Sequence, residues 1–127
     1  MSLDHVLIID DDRDVRRVAQ LALETVGKLR VSVAASGEEG IAVARELHPD
    51  IVLLDMMMPG LDGPETLALL RADPATASLP VVFLTARGRP LSPDQLQVLD
   101  VRGVLKKPFD PLCLAQQLRD LLGEARL

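Results

Sequence analysis

Short apolar runs alternate with helical patterns along the whole chain. Five runs stand out: residues 5–10 (HVLIID), 29–34 (LRVSVA), 50–55 (DIVLLD), 80–85 (PVVFLT) and 102–106 (RGVLK). The first and third are almost continuously apolar, which suits strands covered on both faces of a parallel sheet. The second alternates apolar and polar residues and so predicts an edge strand with one wetter face. Between the runs, Val15, Val18, Ala19, Ala22 and Val26 recur at helical spacing, with Gly27 as a stop. Ser36 followed by Glu39 reads as a capping box for a second helix with Ile41, Ala44 and Leu47 on its apolar face, ended before Pro49. Gly63-Pro64 opens a third helix carrying Leu67, Leu70 and Ala72. Ser92 before Pro93, and Asp110 before Pro111, each pair an N-cap with a proline at the first helical position. The last helix then presents Leu114, Leu118, Leu121 and Leu122.

Five strands and five helices in strict alternation predict an α/β fold. Parallel strands need crossover connections, and these are right-handed, so the helices cover both faces of the sheet in a three-layer sandwich. No repeat, low-complexity tract or linker interrupts the pattern. Residues 1–127 therefore read as one domain, with its core at about residues 5–123.

Composition narrows the function. Hydrophobic residues make up 48% of the 127, enough for one core. Fourteen Lys and Arg against nineteen Asp and Glu leave a net charge of −5, which argues against direct nucleic-acid binding. The single cysteine, Cys113, excludes an internal disulfide and a Cys-rich zinc site, and His5 and His48 lack metal-motif spacing. No run is long enough to span a membrane and the N-terminus does not read as a signal peptide, so a cytoplasmic setting without membrane contact is expected.

In such folds ligands bind beyond the carboxyl ends of the strands. The first strand ends in Asp10-Asp11-Asp12, the third in Asp55, the fourth in Thr85 and the fifth at Lys106-Lys107-Pro108. Two carboxylates about 4 Å apart repel by ~4 kcal/mol at an effective dielectric of ~20, so such a cluster shares a proton or recruits a cation. An all-oxygen site open to water suits Mg²⁺, with Mn²⁺ as the other hard cation. Lys107 and Thr85 add a positive charge and a hydroxyl donor, both suited to the oxygens of a transferring phosphoryl group, and aspartate is a known nucleophile for that chemistry. Taken singly, each residue has a plainer explanation. The aspartates at 10–12 can cap a helix, Asp55 can serve a turn, Lys107 can be solvated, and Met56, Met57 and Met58 can simply pack. Turn residues acting independently would have no reason to gather at the ends of four alternating strands.

The segments VLIIDDD, DIVLLDMMMPGLDG, VVFLTA and VLKKPFD together resemble the receiver domain of bacterial response regulators, over about residues 5–123. The intervals from Asp11 to Asp55, Asp55 to Thr85 and Thr85 to Lys107 are 44, 30 and 22 residues, as in an ungapped receiver core. The resemblance implies the flavodoxin-like receiver fold with strand order 2-1-3-4-5. It implies Asp55 as phosphoacceptor, with Thr85 and Lys107 acting on the phosphoryl group. Asp10, Asp11, Asp55 and the Met57 backbone carbonyl would hold Mg²⁺, and Lys107-Pro108 would be a cis peptide. The implied donor is a sensor histidine kinase or a phosphotransfer protein, and a downstream effector protein or domain would read the switch. The chain would be no enzyme beyond its own phosphorylation and dephosphorylation. The face formed by the fourth helix, fifth strand and fifth helix is a route to a homodimer.

Two positions depart from the family pattern. Val104 stands where an aromatic residue is usual, so no ring can swing inward, and coupling from Thr85 would either be weaker or use Val104 and Phe83 packing instead. Arg102-Gly103 replaces an acidic pair frequent in regulators that carry a winged-helix effector. Of the residues two past Asp55 and Thr85, Met57 would be an apolar shield with no group to orient attacking water, and Arg87 would lie over the phosphoryl oxygens and block access, so slow loss of the phosphoryl group is expected. Among enzymes, a haloacid-dehalogenase-type phosphatase would need an aspartate where Met57 stands, and a P-loop nucleotidase lacks its motif. A flavin module would set the flavin phosphate against acidic strand ends. A receiver used only as a scaffold would have no need of Asp10, Asp11, Asp55, Thr85 and Lys107 together.

Overall fold

A computed structural model describes residues 2–86 and 92–123. Its strands are β1 (His5–Ile9), β2 (Arg30–Ala34), β3 (Ile51–Asp55), β4 (Val81–Thr85) and β5 (Gly103–Lys106). The helices are α1 (Arg13–Thr25), α2 (Gly37–Leu47), α3 (Gly63–Ala72), α4 (Pro93–Leu99) and α5 (Leu114–Leu122). All strand pairs are parallel and the order is β2-β1-β3-β4-β5, as the family resemblance implied.

The continuous apolar runs are explained by burial on both faces. Val6 and Ile8 of β1, Ile51 and Leu53 of β3, and Val82 and Leu84 of β4 point to one side. There they pack with Ala19 and Leu23 of α1 and with Leu114 and Leu118 of α5. Their strand neighbours Leu7, Ile9, Val52, Leu54, Val81 and Phe83 point to the other side, against Ala44 of α2 and Leu67 and Leu70 of α3. Strand β2 lies at the edge, and only Ala34 of it is fully buried. Glycine permits close helix–sheet approach, at Gly40 of α2 against Ile9 of β1 and at Gly103 of β5, where a Cβ would lie 2.8 Å from Leu121 of α5.

α1 stops just before Gly27, as expected, though without a left-handed glycine, and the signals at two helix starts differ from the sequence expectation. The helix ends at the Val26 cap and Lys28 takes the positive φ (56°), while Gly27 sits where a Cβ would lie 2.7 Å from both Ala115 Cβ and Leu23 O. Ser36 caps α2 through Glu39 N, but the Glu39 carboxylate accepts from Ala35 N instead of closing a box on Ser36. The complete capping box belongs to α3, between Asp62 and Glu65. Asp110 does not cap α5 directly. Its side chain accepts from Leu112 N (2.9 Å) in a preceding turn, and α5 begins at Leu114 behind Cys113. Proline at 111 needs only a compatible φ, which a turn supplies as well as a helix does.

Candidate functional site

The four candidate strand ends converge at one edge of the sheet. Strands β1 and β3 are neighbours, so Asp10 and Asp55 emerge side by side, both buried. Asp11 is exposed beside them, and carboxylate oxygens of Asp10, Asp11 and Asp55 all lie within 4.8 Å of one another. Lys107 follows β5, two strands away from β3, a separation of about 10 Å that a lysine stem entering above the sheet can bridge. Its Nζ lies 3.0 Å from Asp10 Oδ2 and 3.2 Å from Asp55 Oδ1. The Lys107-Pro108 peptide is cis, as the resemblance implied.

The backbone around the acids is held in place. Asp10 N donates to Ala34 O (3.1 Å) and Met56 N to Leu84 O (3.1 Å), extending the ladder one residue beyond β1 and β3. Asp12 N donates to Asp10 Oδ1 (2.9 Å), while the Asp12 side chain caps α1 through Asp14 N and Val15 N. The capping explanation therefore holds for Asp12, while Asp10 and Asp11 are left to the cluster. Asp55 serves a turn as well as the cluster, since Met57 N donates to its Oδ1 (3.4 Å). The methionines divide: Met58 is buried in the core and Met57 is 61% exposed beside the site. Thr85 is buried next to Asp55's strand, and its carbonyl accepts from Lys107 N (2.8 Å). Val104 pairs with the fully buried Phe83 and shares its cluster. Arg87 lies outside the described residues.

Electrostatics follow from burial. The Asp55 carboxyl is pushed up from 3.8 to about 6, first by desolvation and then by the Asp10 charge, with Lys107 and the Met57 N–H pulling the other way. Burial works against the Lys107 ammonium, but the two carboxylates outweigh it, Asp10 foremost, and its pKa is raised. Asp10 Oδ2 is fully buried, and its contact with Lys107 is an ion pair without aligned hydrogen-bond geometry. A buried anionic oxygen with spare acceptor capacity, beside two further carboxylates and one ammonium, has excess negative charge. That donor set is all hard oxygen and fits a divalent cation of the Mg²⁺ kind.

Next to Lys107 a groove of ≈ 420 Å³ opens between α1 and the segment after β5, lined by Val15, Val18, Ala86, Pro108 and Phe109. One residue at the site escaped the sequence reading. Arg16 Nη1 donates to Asp10 O (2.8 Å), yet in sequence it is one of three arginines on a polar helix face with nothing to single it out.

Comparison with known proteins agrees with this geometry. Residues 6–119 match the model of the response regulator receiver domain. A response regulator of Synechocystis sp. is 40% identical over 120 residues, covering 93% of this chain and 51% of that protein. A DNA-binding dual master transcriptional regulator of the same organism is 38% identical over 122 residues, 94% of this chain and 49% of that one. The chain thus spans about half the length of the curated relatives it matches. Among solved structures, a putative response regulator from Chloroflexus aurantiacus superposes with a TM-score of 0.84 at 32% identity, covering 97% of this chain and 100% of that one. The N-terminal domain of a response regulator receiver protein from Methanoculleus marisnigri gives 0.77 at 34% identity, with 98% of this chain and 100% of that one covered.

Proposed function

The chain belongs to the response regulator receiver domain family of two-component signalling, and from that premise we propose that it is a phosphorylation switch with Asp55 as the phosphoacceptor. The observation that carries this reading is the placement of Lys107 Nζ in contact with both Asp10 and Asp55, inside a cluster of three carboxylates. Residues 1–127 act as one receiver unit.

Asp10, Asp11, Asp55 and the Met57 carbonyl would hold Mg²⁺, and when bound the cation neutralises charge on the phosphoryl oxygens. Asp55 attacks the phosphorus of a phosphohistidine on a sensor kinase or phosphotransfer protein. The new O–P bond forms as the N–P bond breaks, and the electron pair returns to the imidazole nitrogen. Asp55 must be ionised to attack, and a value of about 6 leaves it so near neutral pH while keeping it more basic than a solvated aspartate. Lys107 is already paired with both carboxylates and can transfer its contact to a phosphoryl oxygen without a large movement. Thr85, at the end of the adjacent strand, follows the phosphoryl group with its hydroxyl and transmits its arrival toward Val104 through Phe83. The apolar groove beside Lys107 gives a donor protein a seat within reach of Asp55. Output passes to an effector protein or domain through the face of α4, β5 and α5, where Val98 is 84% exposed; a second copy of the chain could use the same face. No helix among the described residues is long and apolar enough to cross a membrane, and we place the switch in the cytoplasm.

The test is chemical labelling. Acetyl phosphate or a phosphorylated kinase should label the protein in the presence of Mg²⁺, and peptide mapping should place the label on Asp55. Undiminished labelling of Asp55→Ala would refute the assignment.

A further inference from the structure

Residues 10–12 carry two of the three carboxylates of the cluster, and one residue holds both ends of that short segment. From the first turn of α1, Arg16 N donates to Asp12 O (3.0 Å). From its side chain, Arg16 Nη1 donates to Asp10 O (2.8 Å). Asp12 N closes the segment internally on Asp10 Oδ1 (2.9 Å). The exposed Asp11 sits at the middle of this loop, so its approach to Asp10 and Asp55 depends on how the loop is pinned. The Asp10 carbonyl belongs to a residue with no solvent exposure, and a buried carbonyl without a donor is costly.

The choice of partner is informative. A guanidinium fits a carboxylate best, and three carboxylates are close by. Arg16 nevertheless forms no ion pair among the described residues and spends its donor on a backbone oxygen. A bidentate Arg–carboxylate pair would occupy the oxygens that a cation needs; a bond to the carbonyl fixes the loop and leaves them free.

We propose that Arg16 is a positioning residue for the cation site, setting the separation of the Asp11 carboxylate from Asp10 and Asp55 by clasping both ends of their loop. This rests on the reading of the cluster as a divalent-cation site. The sign of the effect separates it from plain electrostatics. Removing a positive charge near a cation site should tighten cation binding if charge alone matters, whereas loss of the clasp should weaken it.

Magnesium affinity is measured by titration calorimetry on the full chain for the parent, Arg16→Met, Arg16→Lys and Arg17→Ala, with a far-ultraviolet melting curve for each. Arg16→Met keeps the apolar stem and removes the donors. Its Mg²⁺ affinity should fall by ~10-fold, the scale seen when a group supporting metal ligands is lost. Arg16→Lys, which retains one donor, should lie between Arg16→Met and the parent. Arg17→Ala, at the exposed neighbour, should match the parent. In metal-free protein the amide resonances of Asp11 and Asp12 should shift in Arg16→Met and return toward parental positions in Arg16→Lys. Unchanged or tighter Mg²⁺ binding in a folded Arg16→Met overturns the proposal and leaves the cation site standing. If Arg16→Met does not fold, Arg16→Lys decides, and parental affinity there overturns it. No Mg²⁺ binding by the parent overturns the site reading, and this proposal with it.

Discussion

Replacing Asp55 with asparagine should stabilise the protein, by an amount that depends on pH. Asp55 is almost fully buried and faces the Asp10 charge, and its carboxyl is raised from 3.8 to about 6. Between those two values the folded protein keeps a proton on Asp55 that the unfolded chain has released. Stability therefore falls as pH rises through this window and stays lowered above it. At about 1.4 kcal/mol per pK unit, the rise corresponds to about 3 kcal/mol lost above the window. Asparagine is neutral throughout and avoids this penalty, while Lys107 keeps its contact with Asp10. Asp55→Asn should thus exceed the parent by about 3 kcal/mol near neutral pH, with the difference shrinking toward zero near pH ~4. The chain has neither Trp nor Tyr, so urea unfolding is best followed by far-ultraviolet circular dichroism, in metal-free buffer at several pH values across the window. Saturating Mg²⁺ should narrow the gap, because a cation bound to the ionised cluster stabilises the folded parent. A difference that is independent of pH, or one that grows as pH falls, would refute the reasoning.

Three further outcomes are expected. Asp11→Ala should weaken Mg²⁺ binding by at least ~10-fold in calorimetry. Asp12→Ala should leave it near the parental value and instead cost about 1 kcal/mol of stability as α1 loses its cap, so equal affinities would contradict the assignment. Gly63→Ala brings a Cβ to 2.7 Å from both Asp55 O and Met56 Cα, backbone atoms that cannot swing aside. It should cost ~1–3 kcal/mol and lower the labelling yield at Asp55, and a variant that unfolds and labels like the parent would disprove that coupling. Phosphoprotein should persist for many minutes in Mg²⁺, because exposed Met57 carries no group to orient water, and Met57→Asn should lose label faster. Decay of the parent within seconds, or no acceleration in the variant, counts against this role for Met57.

The architecture was legible in the sequence because both sheet faces are buried. That physical demand makes β1, β3 and β4 near-continuous apolar runs, and it leaves β2, covered by a single neighbouring strand, with an alternating one. The same logic of alternation placed Asp10, Asp55, Thr85 and Lys107 at strand ends, and hence at one edge. Local capping was less legible. Asp110-Pro111 carries a helix-start signal, yet the energies of a capped turn and a capped helix differ by little, and packing of Leu114 and Leu118 into the core decides where α5 begins. Gly27 marks the end of α1 as the sequence indicates, but it is also required by the approach of Ala115 from α5, a contact between residues 88 positions apart that no local pattern encodes. Contact distances and charge balance were likewise set only by the tertiary structure. Lys107 reaches two carboxylates because β5 lies two strands from β3, and the raised pKa of Asp55 comes from burial that the folded layers impose. Arg16 marks the same boundary: in sequence it is a charge on a helix face, and only the fold turns it back onto the carbonyl of Asp10.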